Sequence, residues 1–220
     1  MTWDEVSLPN LLTLLNILLG FLAVNEVIQG EFQQAAFYIL IAVVVDLSDG
    51  ILARKMSKTS NFGKELDSLA DLVSFGFAPA ILVYQKFLFP LGELGLMLAS
   101  LHLLCGAIRL ARYNTQAGKK GFTGLPIPAS GGLYAALIFT GTSLEVNVVS
   151  LLILVTSALM VSRVPYPKVE GDVFGETQNR IVLFVLAVTI APIFFNSQLT
   201  CLPFIAYVLT GLIIGLIKSL

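Results

Sequence analysis

Apolar runs of about sixteen to twenty-five residues succeed one another through this chain, most of them separated by short polar breaks. They lie near 11–28, 32–56, 66–88, 93–113, 128–143, 146–162, 180–195 and 199–218. A helix needs about 20 mostly apolar residues to cross a bilayer. The expected fold is therefore an all-α integral membrane protein of about eight transmembrane helices, a single domain over residues 1–220. The shorter runs have a second reading as re-entrant or buried segments. Composition agrees, with 56% of residues hydrophobic and 12% charged, against about 45–50% and about 25% in globular chains. Thirteen Lys and Arg against fourteen Asp and Glu give a net charge of −1, which lacks the basic footprint of a nucleic-acid binder. The wealth of Leu, Ile, Val and Phe excludes disorder. Cys105 and Cys201 lie in apolar stretches without CxxC spacing, so neither a disulfide framework nor a zinc site is expected.

Residues 1–10 read as a short lead-in, with Trp3 suited to the lipid–water boundary and Pro9 to a helix start. The acidic beginning (Asp4, Glu5) and the lack of an A-x-A site argue against a cleavable signal peptide. With the N-terminus inside, the internal loops hold Lys58 and Lys64, then Lys119 and Lys120, then Arg163, Lys168 and Arg180, with Lys218 near the C-terminus. The opposite turns near 29–31, 89–92, 144–145 and 196–198 hold no cation, and Lys86 alone lies near that side. Such asymmetry places both termini on the cytoplasmic side of the cell membrane.

Acids stand where the second and third spans meet. Asp46, Asp49, Gly50 and Ala53 share one face of the second, and Asp67 and Asp71, four residues apart, share a face of the third. A short connection makes the two helices antiparallel neighbours, so four carboxylates can converge near the cytoplasmic ends of their spans. Each acid within a span costs about 2.5–3.5 kcal/mol, so four need compensation. Hard divalent cations supply it, since Mg²⁺ takes carboxylate oxygen and shares substrate phosphates. Gly50 and Ala53 leave room for a ligand, and Arg54 can fork onto phosphate. The plainer reading is that these acids cap helix ends or pair with Arg54, Lys55 and Lys64.

The run Asp46-x2-Asp49-Gly50-x2-Ala53-Arg54-x8-Gly63-x3-Asp67-x3-Asp71 resembles, position for position, the signature of the CDP-alcohol phosphotransferase family. Four further stretches are similar to its serine-using prokaryotic branch: Ser7 to Thr13, Val73 to Ala80, Cys105 to Asn114, and Gly124-Leu125-Pro126-Ile127-Pro128. The likeness covers about residues 7–135. It implies a two-metal site in which Asp46 and Asp67 bridge both ions, Asp49 completes one, and Asp71 contacts the other while serving as general base. Gly50, Ala53, Arg54, Ser60 and Gly63 would hold the CDP moiety, with Asn10 and Thr13 near the nucleotide. Two cations can clamp a pyrophosphate and favour CMP as leaving group. A carboxylate in reach of a serine hydroxyl can take its proton as attack begins. No enzyme nucleophile stands out, so direct transfer is expected rather than a covalent intermediate.

Arg109 and Arg112, three residues apart on the fourth span, are followed by Asn114. Guanidiniums at membrane depth are costly and should face a cavity holding an anion. In the serine reading one or both clamp the acceptor carboxylate, with Asn114 nearby; otherwise they anchor lipid phosphate or pair with an acid of the site. Lys119 and Lys120, beside Gly118 and Gly121, read as solvated internal charge or as a loop covering the site. His102, alone on an apolar span, reads as a core histidine before a metal ligand. The fifteen Phe are lipid-facing or core filling, and Arg163 to Lys168 reads as an internal loop with boundary aromatics.

Transfer of a lipid phosphoryl group from a CDP-lipid to L-serine is thus the leading expectation. Sister reactions on glycerol phosphate or inositol (or its phosphate) would keep the aspartates and alter the acceptor pocket. A divalent-cation transporter would need an aqueous path to both faces. Mg²⁺ and Mn²⁺ both suit carboxylate oxygen, the tails could be ester-linked diacylglycerol or ether-linked archaeol, and the resemblance implies a homodimer.

Overall fold

A computed structural model describes residues 7–55, 60–115, 123–164, 166 and 199–219. Among these residues the chain is helical, with no strand. Helix α1 (Leu8–Gln29) starts behind Ser7 with Pro9 in its first turn, where a missing N–H costs nothing. It stops at Gly30, whose left-handed backbone (φ 82°) lets its N–H reach the carbonyls of Glu26 and Val27. The chain reverses there into α2 (Phe32–Lys55), and the two helices pack antiparallel over most of their length.

Ser60 opens α3 (Asn61–Asp71) by accepting the Gly63 N–H at 2.9 Å. Beyond Asp71 the helix widens to π geometry at Leu72–Phe77, passes through α4 (Ala78–Val83), widens again at Tyr84–Leu88 and ends at Phe89–Leu91. Together these form one apolar rod of 31 residues. Helices α5 (Glu93–Thr115), α6 (Ile127–Phe139), α7 (Val146–Val161) and α8 (Leu202–Ser219) follow.

Four of these units are long and apolar enough to cross a membrane: Leu8–Gln29, Phe32–Gly50, Asn61–Leu91 and Glu93–Thr115. The expected spans at 128–143 and 146–162 fold as helices of 13 and 16 residues, below the about 20 that a crossing needs. The run at 199–218 gives α8, and the one at 180–195 lies outside the described residues. Several apolar helices of this kind make a multi-pass membrane protein. Also outside the description are Trp3, Lys58, Lys119, Lys120, Lys168 and Arg180, together with the side chains of Ala53, Arg54, Lys55 and Lys218.

The packing is that of a chain in lipid. On α1 the large apolar residues Leu11, Leu14, Leu15, Leu18 and Phe21 face outward, while Asn10, Thr13, Asn16, Gly20 and Ala23 are buried. Lipid solvates leucine as well as protein does, so helices associate through small and polar residues instead. Gly20 shows how close this brings them: a Cβ there would stand 2.5 Å from the Ser74 Oγ and 2.9 Å from its Cα. Ser74 uses the approach to donate to the Asn16 carbonyl at 2.7 Å. His102 is fully enclosed, with Nε2 2.8 Å from the Phe75 carbonyl, Nδ1 3.4 Å from Ser130 and its ring edge-on to Tyr134. It is a core histidine that ties α5 and α6 to the rod.

Candidate active site

Two sequence patterns meet at one place. On α2 the three-residue step from Asp46 to Asp49 puts both carboxylates on the face turned toward α3, and the four-residue step from Asp67 to Asp71 does the same on α3. Carboxylate oxygens of Asp46, Asp49 and Asp67 all lie within 4.8 Å of one another. Asp71 sits within hydrogen-bonding reach of Asp46, is 9% exposed, and keeps its Oδ1 without a hydrogen-bond partner. It is the last residue before the π-helical widening, a feature frequent at functional sites.

At 4.8 Å two carboxylates repel by about 3–4 kcal/mol at an effective dielectric of about 20. A positive charge among three held so close, with Asp49 only 6% exposed, would relieve that repulsion. An oxygen-only donor set with a further unsatisfied carboxylate oxygen suits a hard divalent cation. Helix capping does not account for the acids, because Asp46 and Asp49 lie within α2 rather than at its first turn. Lys64, offered above as a partner for them, instead has its ammonium 5.5 Å from the centre of the Tyr113 ring and 3.4 Å from the Asn114 carbonyl.

Around this centre stand the residues expected at the nucleotide. Thr13 Oγ1 lies 3.1 Å from Asp49 Oδ2 and 3.1 Å from the Pro9 carbonyl, so α1 orients Asp49 directly. Asn10 is buried next to the start of α3. A Cβ on Gly63 would lie 3.0 Å from the Asn10 Oδ1 and 3.2 Å from the Ser60 Oγ, so only glycine admits this contact without displacing them. Ser60 carries the helix cap and is otherwise exposed. Gly50 is partly buried on α2 one residue beyond Asp49.

The structure separates the three residues expected at the acceptor. Arg109 is 5% exposed, and its guanidinium interacts electrostatically with Asp71 and with Tyr207 and Tyr113. Arg112 donates from Nη1 to the carbonyls of Val161 and Ser162 at 3.0 and 3.4 Å, at the end of α7 where carbonyls lack helical partners. Asn114 donates from Nδ2 to Ser68 at 3.0 Å and Glu65 at 3.2 Å, fastening the end of α5 to α3.

Sequence reasoning missed Tyr207 on α8, which lies beside Arg109 and stacks on Tyr166 with ring centres 5.6 Å apart. It also missed Asn16, which had no charge to mark it inside an apolar run.

The chain is similar in sequence to several known proteins. The archaetidylserine synthase of Methanothermobacter thermautotrophicus is 39% identical over 169 residues, covering 76% of this chain and 72% of the relative. Proteins named CDP-diacylglycerol–serine O-phosphatidyltransferase are 37% identical in Methanocaldococcus jannaschii (84% of this chain, 82% of the relative) and 34% identical in Bacillus subtilis (73% and 89%). A sequence model of the family described as CDP-alcohol phosphatidyltransferase matches residues 6–214, from the lead-in to α8. The chain therefore belongs to the CDP-alcohol phosphatidyltransferase family.

Proposed function

We propose that this protein transfers the phosphatidyl-type group of a CDP-linked lipid to the hydroxyl of L-serine, releasing CMP. The observation that carries this reading is the electrostatic interaction of the buried Arg109 guanidinium with Asp71, which neighbours Asp46 of the carboxylate cluster. An acceptor whose hydroxyl meets Asp71 would present a carboxylate to Arg109. The relatives, one named archaetidylserine synthase and two named CDP-diacylglycerol–serine O-phosphatidyltransferase, support the choice of serine over glycerol phosphate or inositol.

Asp46, Asp49, Asp67 and Asp71 would hold two divalent cations, Mg²⁺ or Mn²⁺. When bound, such ions neutralise charge on a pyrophosphate and on its departing half. The remaining work belongs to the chain's own groups. Asn10, Thr13, Gly50, Ala53, Arg54, Ser60 and Gly63 would seat the CDP moiety. Asp71 would take the serine hydroxyl proton as the oxygen attacks the phosphorus that carries the lipid. The bond from that phosphorus to the CMP oxygen breaks, and CMP leaves with the electron pair. Two termini inside, a site open to the cytoplasmic face of the cell membrane and a homodimeric assembly complete the proposal.

Release of radiolabelled CMP, measured with serine, glycerol phosphate, inositol and inositol phosphate in turn, tests it. Serine should support release far above the others, and both CDP-diacylglycerol and CDP-archaeol should be assayed as donor. Release with an alcohol other than serine would move the protein to a sister reaction.

A separate expectation concerns the proton. Asp71→Asn should lose transfer yet keep much of the affinity for the CDP-lipid, because three carboxylates remain to hold a cation. Equilibrium binding of the CDP-lipid to the purified variant checks this. A loss of affinity in parallel with turnover would make Asp71 a holder of metal only.

A further inference from the structure

Asn16 on α1 is 0% exposed, and neither its Oδ1 nor its Nδ2 makes a hydrogen bond within the protein. A buried carboxamide can make four hydrogen bonds, and native structures rarely leave all of them unmade. At an apolar helix interface Leu or Ala would fill the place without that cost.

Its neighbours say what it is for. Thr13, three residues earlier, meets Asp49 on the antiparallel α2, so Asn16, about 4.5 Å further along α1, comes level with Asp46, three residues back from Asp49. On the other side its own carbonyl accepts the Ser74 hydroxyl at 2.7 Å, three residues beyond Asp71. Asn16 also lies about 60° round the helix from Thr13, toward the π-helical segment. It therefore stands at the inner end of the acidic cluster, between the helix carrying Asp46 and the one carrying Asp71. The unpartnered Asp71 Oδ1 lies within one turn of Ser74.

We propose that Asn16 is a further part of the metal site, its carboxamide hydrogen-bonding the water shell of a divalent cation held by the aspartates. The inference rests on the metal reading above and extends it from charged to neutral groups. Small divalent cations retain several waters when carboxylates bind them, and those waters need partners at the closed end of a site. Groups in this outer position tune affinity by about 10–100-fold. The unmade hydrogen bonds of Asn16 are then a cost of the metal-free protein that the hydrated ion removes.

The test is Mn²⁺ binding to the full-length protein in detergent, followed by calorimetric titration without nucleotide or serine, together with thermal unfolding of the metal-free protein. Asn16→Leu and Asn16→Ala should each weaken Mn²⁺ binding by about 10–100-fold. Asn16→Leu should unfold no earlier than the parent without metal, since an unsatisfied amide has been removed. Should the bulkier variant fail to fold, Asn16→Ala decides. Wild-type Mn²⁺ affinity in a folded variant overturns the proposal. Asp46→Asn is titrated alongside: Mn²⁺ binding lost there but retained in the Asn16 variants refutes the role of Asn16 alone. Mn²⁺ affinity undiminished in Asp46→Asn refutes the metal reading and this inference with it.

Discussion

CMP release by purified Asp46→Asn protein should fall by about 10³-fold or more, equivalent to about 4 kcal/mol of lost transition-state stabilisation. Asp46 is the acid that touches the rest of the cluster: its carboxylate lies within 4.8 Å of Asp49 and Asp67 and within hydrogen-bonding reach of Asp71. An amide conserves its shape but brings no negative charge and one oxygen in place of two. Asp67→Asn should behave alike, because Asp67 faces the same pair from α3. Stability should move the other way. Removing one of several mutually repelling, partly buried carboxylates leaves the metal-free protein at least as resistant to thermal unfolding as the parent. Loss of turnover with an unchanged or raised unfolding midpoint separates a site effect from misfolding. Wild-type turnover in either variant would remove these residues from the chemistry.

Much of the acidic centre was legible in the sequence because helical spacing alone determines which residues share a face; the two faces meet where α2 and α3 both pack against α1. The number of spans was less accessible. Residues 128–143 read as one apolar run, yet α6 closes at Phe139 because Gly141 takes a left-handed backbone (φ 71°) and Thr140 and Thr142 bond to each other there. Weakly polar threonines end a helix through a turn that hydropathy does not register. The arginine pair is divided by tertiary packing. Arg109 and Arg112 are about 60° apart round α5, enough to send one toward Asp71 and the other to the end of α7. Which helix end would lie beside Arg112 is a tertiary fact, absent from the spacing. Tyr207 belongs to the same category, reaching Arg109 from a helix almost a hundred residues later in the chain. Asn16 did carry a local signal, since Asn10, Thr13 and Asn16 recur at three-residue intervals in an otherwise apolar span, and uncharged polar residues at helical spacing mark an interior face.

That division of the arginines gives the acceptor site its sharpest expectation. Arg109→Ala should raise the serine KM by about one to two decades, equivalent to about 1.4–2.8 kcal/mol, because a guanidinium–carboxylate contact in a buried setting is among the stronger charge-assisted hydrogen bonds. The KM for the CDP-lipid should change much less, since the groups proposed for the nucleotide and its phosphates lie on α1, α2 and the start of α3. Arg112→Ala should do the reverse. Its Nη1 satisfies two carbonyls at the end of α7, so its removal should lower the thermal midpoint, by about 1–3 kcal/mol of stability, while leaving the serine KM within about threefold. Arg109→Lys adds a control: the charge remains but the planar fork is lost, so its KM should fall between those of the parent and the alanine variant. Ethanolamine, which is serine without its carboxylate, should be a very poor acceptor for the unmodified enzyme and should be affected little by Arg109→Ala. Equal use of ethanolamine and serine by the unmodified enzyme would refute the clamp. An unchanged serine KM in Arg109→Ala with a raised one in Arg112→Ala would reverse the assignment. It would then require the contact with the end of α7 to open whenever the acceptor binds.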